Sequence, residues 1–238
     1  MIDYLYNPRI WTWDGHLSSL AIKSWLLPLL AALLSRHGRR REHQQVIAFV
    51  AYSLLMEHLT TDADTRNYFH PTTNYPWYHL LTPGLFFLMT RFYVDYLRKI
   101  GYGWLTWVLP VVFTGLVMID AIGADNFYTF PTLAVAVYSF TGIFLTIGYF
   151  VFLLTTLESL YLERQPMFWI AAGLLIYFAS SVLVWIGMTY LIDDTRLFWS
   201  ILRITHTATI LLNLTLTVAI LLDPPQRVPT ARNANPGV

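Results

Sequence analysis

The apolar run from Leu197 to Leu222, LFWSILRITHTATILLNLTLTVAILL, limits what this chain can fold into more than any other stretch. Its 26 residues exceed the roughly 20 that a helix needs to cross a bilayer core at 1.5 Å per residue. A plain anchor would carry leucine where this run carries Arg203, His206 and Asn213. At about 100° per residue, Arg203, His206, Asn213 and Thr217 fall within about 80° of one another around a helix. Lipid offers such groups no hydrogen-bond partners, so the stripe has to face protein or water. The rest of the chain is therefore expected to form a bundle around it.

Composition agrees with that class. Only 12% of the 238 residues are charged and 56% are hydrophobic, where a soluble domain has about a quarter charged. Six further apolar runs precede the last one, at about 17–35, 45–60, 78–97, 103–123, 131–157 and 167–191. The sequence thus predicts an all-α polytopic membrane protein, a bundle of seven transmembrane helices. Residues 1–16 read as an interfacial lead-in with Trp11 and Trp13 at headgroup level, 17–222 as the membrane domain, and 223–238 as a disordered tail. The 45–60 run is the shortest of the seven, because Glu57 and His58 interrupt its end, so six spans is the alternative count. Prolines 28, 83 and 110 are expected to kink their helices.

Cation placement sets the orientation. Nine cations (Arg36, Arg39, Arg40, Arg41, Arg98, Lys99, Arg164, Arg227 and Arg232) fall on one side and three (Arg9, Arg66 and Arg196) on the other. The expected topology puts the N-terminus outside and the C-terminus inside a bacterial inner membrane, with lipids as partners. The basic loop RHGRRRE fits contact with anionic lipid, or docking of a cytoplasmic signalling partner. With a net charge of +1 and no basic domain, nucleic acid is not an expected partner. The absence of cysteine excludes disulfides and thiolate chemistry.

Ionisable groups inside a membrane are costly enough to mark function by default. Lys23, Glu57, His58, His79, Asp120, Arg203 and His206 all fall in the outer half on this topology, the last two roughly 10–15 Å down their helix. Their shared depth points to one outward-facing polar cavity. Together with Asn213 they form the candidate ligand-binding set, in which Arg203 would hold an anionic group. Deeper in, Arg91 and Asp95 are four residues apart and are expected to pair along one helix face.

Chemistry is harder to place. His58, His79 and His206 are candidate metal ligands, with Glu57 beside them, but no HxxxH or HExxH spacing fixes two on one face. The cofactor is therefore left unknown and no catalytic residue is assigned. A retinal site would need a deep lysine in the last helix, which has none. Seven-helix hydrolases of the ceramidase and adiponectin-receptor type place two histidines four apart there, whereas His206 has Leu202 and Ile210 at those positions. The aromatics Trp107, Phe113, Tyr138, Phe140, Tyr149, Phe150, Tyr177 and Trp185 read as packing and interface anchors rather than a ligand pocket. The expected function is a membrane sensor or accessory protein binding a small molecule or lipid. A proton-coupled transporter and a lipid-modifying enzyme are the competing classes.

The second half, TLESLYLERQPMFWIAAGLLIYFASSVLVW followed by LFWSILRITHTATILLNLTLTVAILL, resembles a group of uncharacterised seven-helix membrane proteins of Bacteroidetes-type bacteria. In that group a Leu-Glu and a Pro-x-Phe-Trp-Ile start precede a histidine and an asparagine on the last helix. The matching residues here are Glu158, Pro166, Phe168, Trp169, Tyr177, His206 and Asn213. The resemblance implies seven helices and an unassigned role, for which sensing is often supposed, and it adds no reaction.

Overall fold

The structure, a computed structural model, describes residues 8–35, 41–61, 75–123, 127, 129, 131–156, 162–190 and 195–222, without the side chains of 8–15, 61, 185–190 and 195–199. Among these residues there are nine α-helices. They are α1 (Pro8–Ser24), α2 (Leu26–Leu34), α3 (Arg41–Thr61), α4 (Tyr75–Phe92), α5 (Val94–Lys99), α6 (Leu105–Ile122), α7 (Thr132–Thr156), α8 (Pro166–Tyr190) and α9 (Thr195–Leu221). A short 3₁₀ turn at Leu162–Arg164 leads into α8. Glu158, the basic residues 36–40 and the tail 223–238 lie outside the described residues.

Short connections make sequence neighbours pack side by side. Going round the bundle, α2 meets α3, α3 meets α4, α4 meets α6, α6 meets α7, α7 meets α8, and α8 lies along α9. The last helix then packs on α1 and α2, which closes the ring. The two ends of the bundle are named here by the residues α3 carries there, the Arg41 end and the Glu57 end.

Two breaks divide what the sequence reads as single spans. Proline at position 28 has no N–H to give the Ser24 carbonyl one turn back, and its ring crowds that carbonyl. The helix accordingly stops at Ser24, turns at Trp25 and restarts at Leu26. Pro83 and Pro110, by contrast, sit inside uninterrupted helices. The second break is at Tyr93, between α4 and α5. It explains why Arg91 and Asp95 do not pair as expected, since they no longer share a helix face. Asp95 instead holds Arg41 of α3 at 2.7 Å. The Arg91 guanidinium lies over the Trp107 ring, 4.9 Å from its centroid, and the Gln45 amide caps the Arg91 carbonyl at 3.0 Å. At the other end of the chain, the first helix opens at Pro8, well before the apolar run. Proline suits a first helical position because its missing N–H would be unused there.

The core is aromatic. Phe86 stacks on Phe113 with centroids 4.1 Å apart, Tyr138 meets Phe178 edge-on at 5.1 Å, and Tyr93 bonds Thr146 through its hydroxyl at 2.6 Å. Phe49, Met89, Leu174, Leu212 and Leu216 are fully buried among them. The outside is apolar as well. Val111, Ile119 and Phe144 are at least 70% exposed, and Leu33 and Leu34 reach 82%. A surface of this kind is unfavourable in water and natural in hydrocarbon. Among the described residues, five segments are long and apolar enough to cross a membrane: His16–Leu34, Leu105–Ile122, Thr132–Thr156, Pro166–Val184 and Ser200–Leu221. α3 and α4 are not among them, since α3 carries RE, QQ and EH at its ends and α4 carries His79 and Arg91.

Candidate functional site

The polar residues of the last helix separate once it is seated. Asn213 is fully buried against α1, where its Nδ2 donates to the Ser24 hydroxyl at 2.8 Å. That hydroxyl donates in turn to the Ala21 carbonyl at 2.6 Å, at the place where Pro28 interrupts the helix. About two turns toward the Glu57 end, His206 faces the interior too. Arg203, at the margin of the same stripe, does not. It is exposed and lies in a shallow apolar groove between α8 and α9 with Ile176, Leu183, Ile204 and Leu211. The expectation that the whole stripe faces one interior therefore does not hold for Arg203, whose stem lies along apolar side chains of α8 and α9.

Above Asn213 lies a cavity of about 300 Å³ walled by residues of α1, the α1–α2 break, α3, α4, α7, α8 and α9. Trp25 at the α1–α2 break, Ser53, Glu57 and Thr60 on α3, Tyr78 on α4, Tyr177 and Ser181 on α8, and Thr205, His206 and Thr209 on α9 supply its walls. Its volume stands at the lower end of the usual range for small-molecule sites. The Glu57 carboxylate acts electrostatically on the phenols of both Tyr78 and Tyr177, from opposite sides of the ring. Below it the packed rings of Phe86, Phe113, Tyr138 and Phe178 close the bundle.

The hydroxyls around this cavity have a common state. Ser53 donates to the Phe49 carbonyl at 2.8 Å and Thr60 to Met56 at 2.8 Å. Ser181 donates to Tyr177 at 3.0 Å, Thr205 to Ile201 at 3.1 Å and Thr209 to Thr205 at 3.0 Å. Hydroxyls inside membrane-type helices bond back to their own carbonyls in this way. Each then has its hydrogen spent and only oxygen lone pairs left to offer. The Tyr78 hydroxyl is bonded to the Thr60 side chain, whose own hydrogen is already committed, so the phenol is the donor.

The chain matches no protein-family model, no curated protein and no solved structure. Its function has to be read from this arrangement.

Of the residues the sequence singles out, Glu57 and His206 meet at the cavity. Lys23 and His58 are exposed and line none of it. His79 is buried beside the cavity rather than in it, with its Nε2 3.2 Å from the Thr129 carbonyl and its ring against Phe127. Asp120 stands on α6, which packs on α4 and α7 and contributes nothing to the cavity wall. Asn213 is a helix-packing residue beneath the floor. Among the described residues no three of His, Asp and Glu converge to hold a metal ion, so His58, His79 and His206 do not form one site. Sequence reasoning passed over Tyr78, Ser181, Thr205 and Thr209, and it treated Tyr177 as a packing anchor. A polar stripe at Thr205, His206 and Thr209 was the available signal for two of them.

Proposed function

We propose that this protein is a seven-span sensor or accessory protein of a bacterial inner membrane that holds a small molecule in the Glu57–His206 cavity. In this reading α1–α2 and α4–α5 each act as one broken span, and α3 and α4 cross the membrane shielded by the five more apolar segments. The Glu57 end faces outward and the Arg41 end inward, because Arg41, Arg98, Lys99 and Arg164 all stand at the latter. The observation that carries the reading is a cavity whose polar groups come from four helices and whose floor is a packed aromatic layer. A carrier needs polar groups through the whole depth of the membrane, which that layer speaks against. Binding at a junction of α1, α3, α8 and α9 would shift how these helices pack, and the inner loops would relay the shift to a cytoplasmic partner. The resemblance to seven-helix proteins of Bacteroidetes-type bacteria fits this picture. Tyr177 and His206 lie on the cavity wall, Asn213 lies under it, and Pro166 opens α8 with Trp169 donating to the Glu163 carbonyl at 2.8 Å.

The chain's lack of cysteine makes the test direct. Single Thr209→Cys and Arg98→Cys variants are treated in intact cells with a membrane-impermeant thiol reagent. Thr209→Cys is expected to react from outside, and Arg98→Cys only after the membrane is permeabilised. Labelling of Arg98→Cys in intact cells, or a Thr209→Cys that never reacts from outside, contradicts the topology and the outward opening.

A further inference from the structure

We infer that the groove between α8 and α9 is a seat for an anionic phospholipid of the surrounding membrane, with Arg203 on its phosphate and one acyl chain along the two helices. The site lies outside the bundle and does not depend on what the cavity holds. Only its leaflet, the outer one, rests on the orientation proposed above. The anionic group expected of Arg203 in the sequence is then a lipid phosphate rather than a ligand inside the bundle.

The groove is hydrocarbon with one charge. Ala179 on α8 and Ala208 on α9 are small enough to leave the space, about 700 Å³, and Ile176, Leu183, Ile204 and Leu211 border it, between 39% and 48% exposed. Ser180 and Thr207 line it too, but their hydroxyls donate to the Tyr177 and Arg203 carbonyls at 2.7 and 2.9 Å, so neither has a hydrogen to offer. The two helices run antiparallel, with Gly173 of α8 against Thr215 of α9. Leu183 and Arg203 therefore share the Glu57 end of the groove, and Ile176 and Leu211 the other. From Arg203 to Leu211 the helix rises about 12 Å, close to the roughly 15 Å of hydrocarbon in one leaflet. Arg203 stands six residues into the apolar run that opens at Leu197, about 9 Å along the helix. Helical side chains lean toward the N-terminus, here the outer end, so the long stem carries the guanidinium toward the headgroups. A guanidinium has five N–H donors in a fork, so a bond within the protein leaves others for the two free oxygens of a phosphate. A permanent cation above an apolar track matches an anionic head above an acyl chain. A second copy of the chain seated there about a two-fold axis would instead set Arg203 against its own counterpart.

The test mixes the full-length protein in mild detergent with equal amounts of phosphatidylglycerol and phosphatidylcholine of the same acyl chains. Native mass spectrometry then counts the lipids each chain retains. The wild type should prefer phosphatidylglycerol, and Arg203→Gln should cut that preference about fivefold, the effect of one cation beside an anionic headgroup. Arg203→Lys should keep part of it. Thr207 is exposed, so Thr207→Phe should fill the groove and lower retention of both lipids while the unfolding temperature in plain detergent stays the same. Equal retention of the two lipids by the wild type overturns the assignment, as does a preference that Arg203→Gln leaves unchanged. Lipid lost on Ser181→Phe but not on Thr207→Phe would place it in the cavity, which sinks the groove and leaves the cavity reading standing. A dimer that Thr207→Phe splits, with no lipid preference, would give the groove to a second copy and overturn the assignment as well.

Discussion

Gly173→Val is expected to lower stability by about 3 kcal/mol, the upper end of the range for forcing extra atoms into a packed interface. Gly173 is buried on α8 where that helix lies along α9, and a Cβ there would run into the Thr215 hydroxyl and the Leu212 side chain. Leu212 is fully buried and Thr215 is β-branched, with its hydroxyl tied to the Leu212 carbonyl at 2.8 Å, so neither can swing aside. Small residues at such positions let membrane helices approach closely, and the gain is lost when the backbones are pushed apart. The measurement is reversible unfolding in mixed detergent micelles. Thr215→Ala in the same chain should recover at least a third of the loss, because it removes the atom that the new side chain strikes. If the two changes were additive, the close approach would not be the cause.

The second large effect is expected at Phe178. Phe178→Ala should cost about 3–5 kcal/mol, the usual price of deleting a buried aromatic ring. The ring is fully buried, meets Tyr138 edge-on at 5.1 Å and Tyr177 at 5.7 Å, and lies where a Cβ on Gly142 would be. It therefore joins α7 to α8 at the level just under the cavity. Phe178→Leu keeps most of the volume and should lose less than half as much. Since Tyr177 leans on this ring, the alanine variant should also weaken cavity binding, whereas the leucine variant should largely keep it. A Phe178→Ala protein that unfolds like the wild type would mean that the aromatic layer does not hold the two helices together.

How far the sequence reaches can be judged from single residues. The apolar runs place the helices well, because a span of 20 residues without polar relief has few other solutions in lipid. They do not reveal the break at Tyr93, which depends on no residue that a span pattern excludes, whereas the break at Trp25 falls where Pro28 leads the sequence to expect a kink. The stripe on the last helix correctly draws attention to His206 and Asn213, which face inward. It fails for Arg203, since an angle around a helix does not say which neighbour stands there, and Arg203 lies in the groove between α8 and α9 instead. Depth alone grouped Lys23, His58, His79 and Asp120 with Glu57, yet groups at one depth on a ring of helices can point to different sides of it. The hydroxyls that define the cavity are invisible as a set in the sequence. Ser53, Ser181 and Thr209 gain meaning only when three helices bring them to one space with their hydrogens already bound.

Native mass spectrometry of the gently extracted full-length protein, wild type beside Ser181→Phe, bears most directly on the cavity as a binding site. Ser181 is buried on the cavity wall, so a phenyl group there takes up space that a bound molecule would need. The wild type should carry a small adduct of one molecule per chain, and Ser181→Phe of the same fold should carry none. An adduct retained unchanged by Ser181→Phe would place the bound molecule elsewhere. A wild type that neither carries nor takes up any small molecule would mean that Glu57, His206 and their hydroxyl neighbours serve only to lock the helices together.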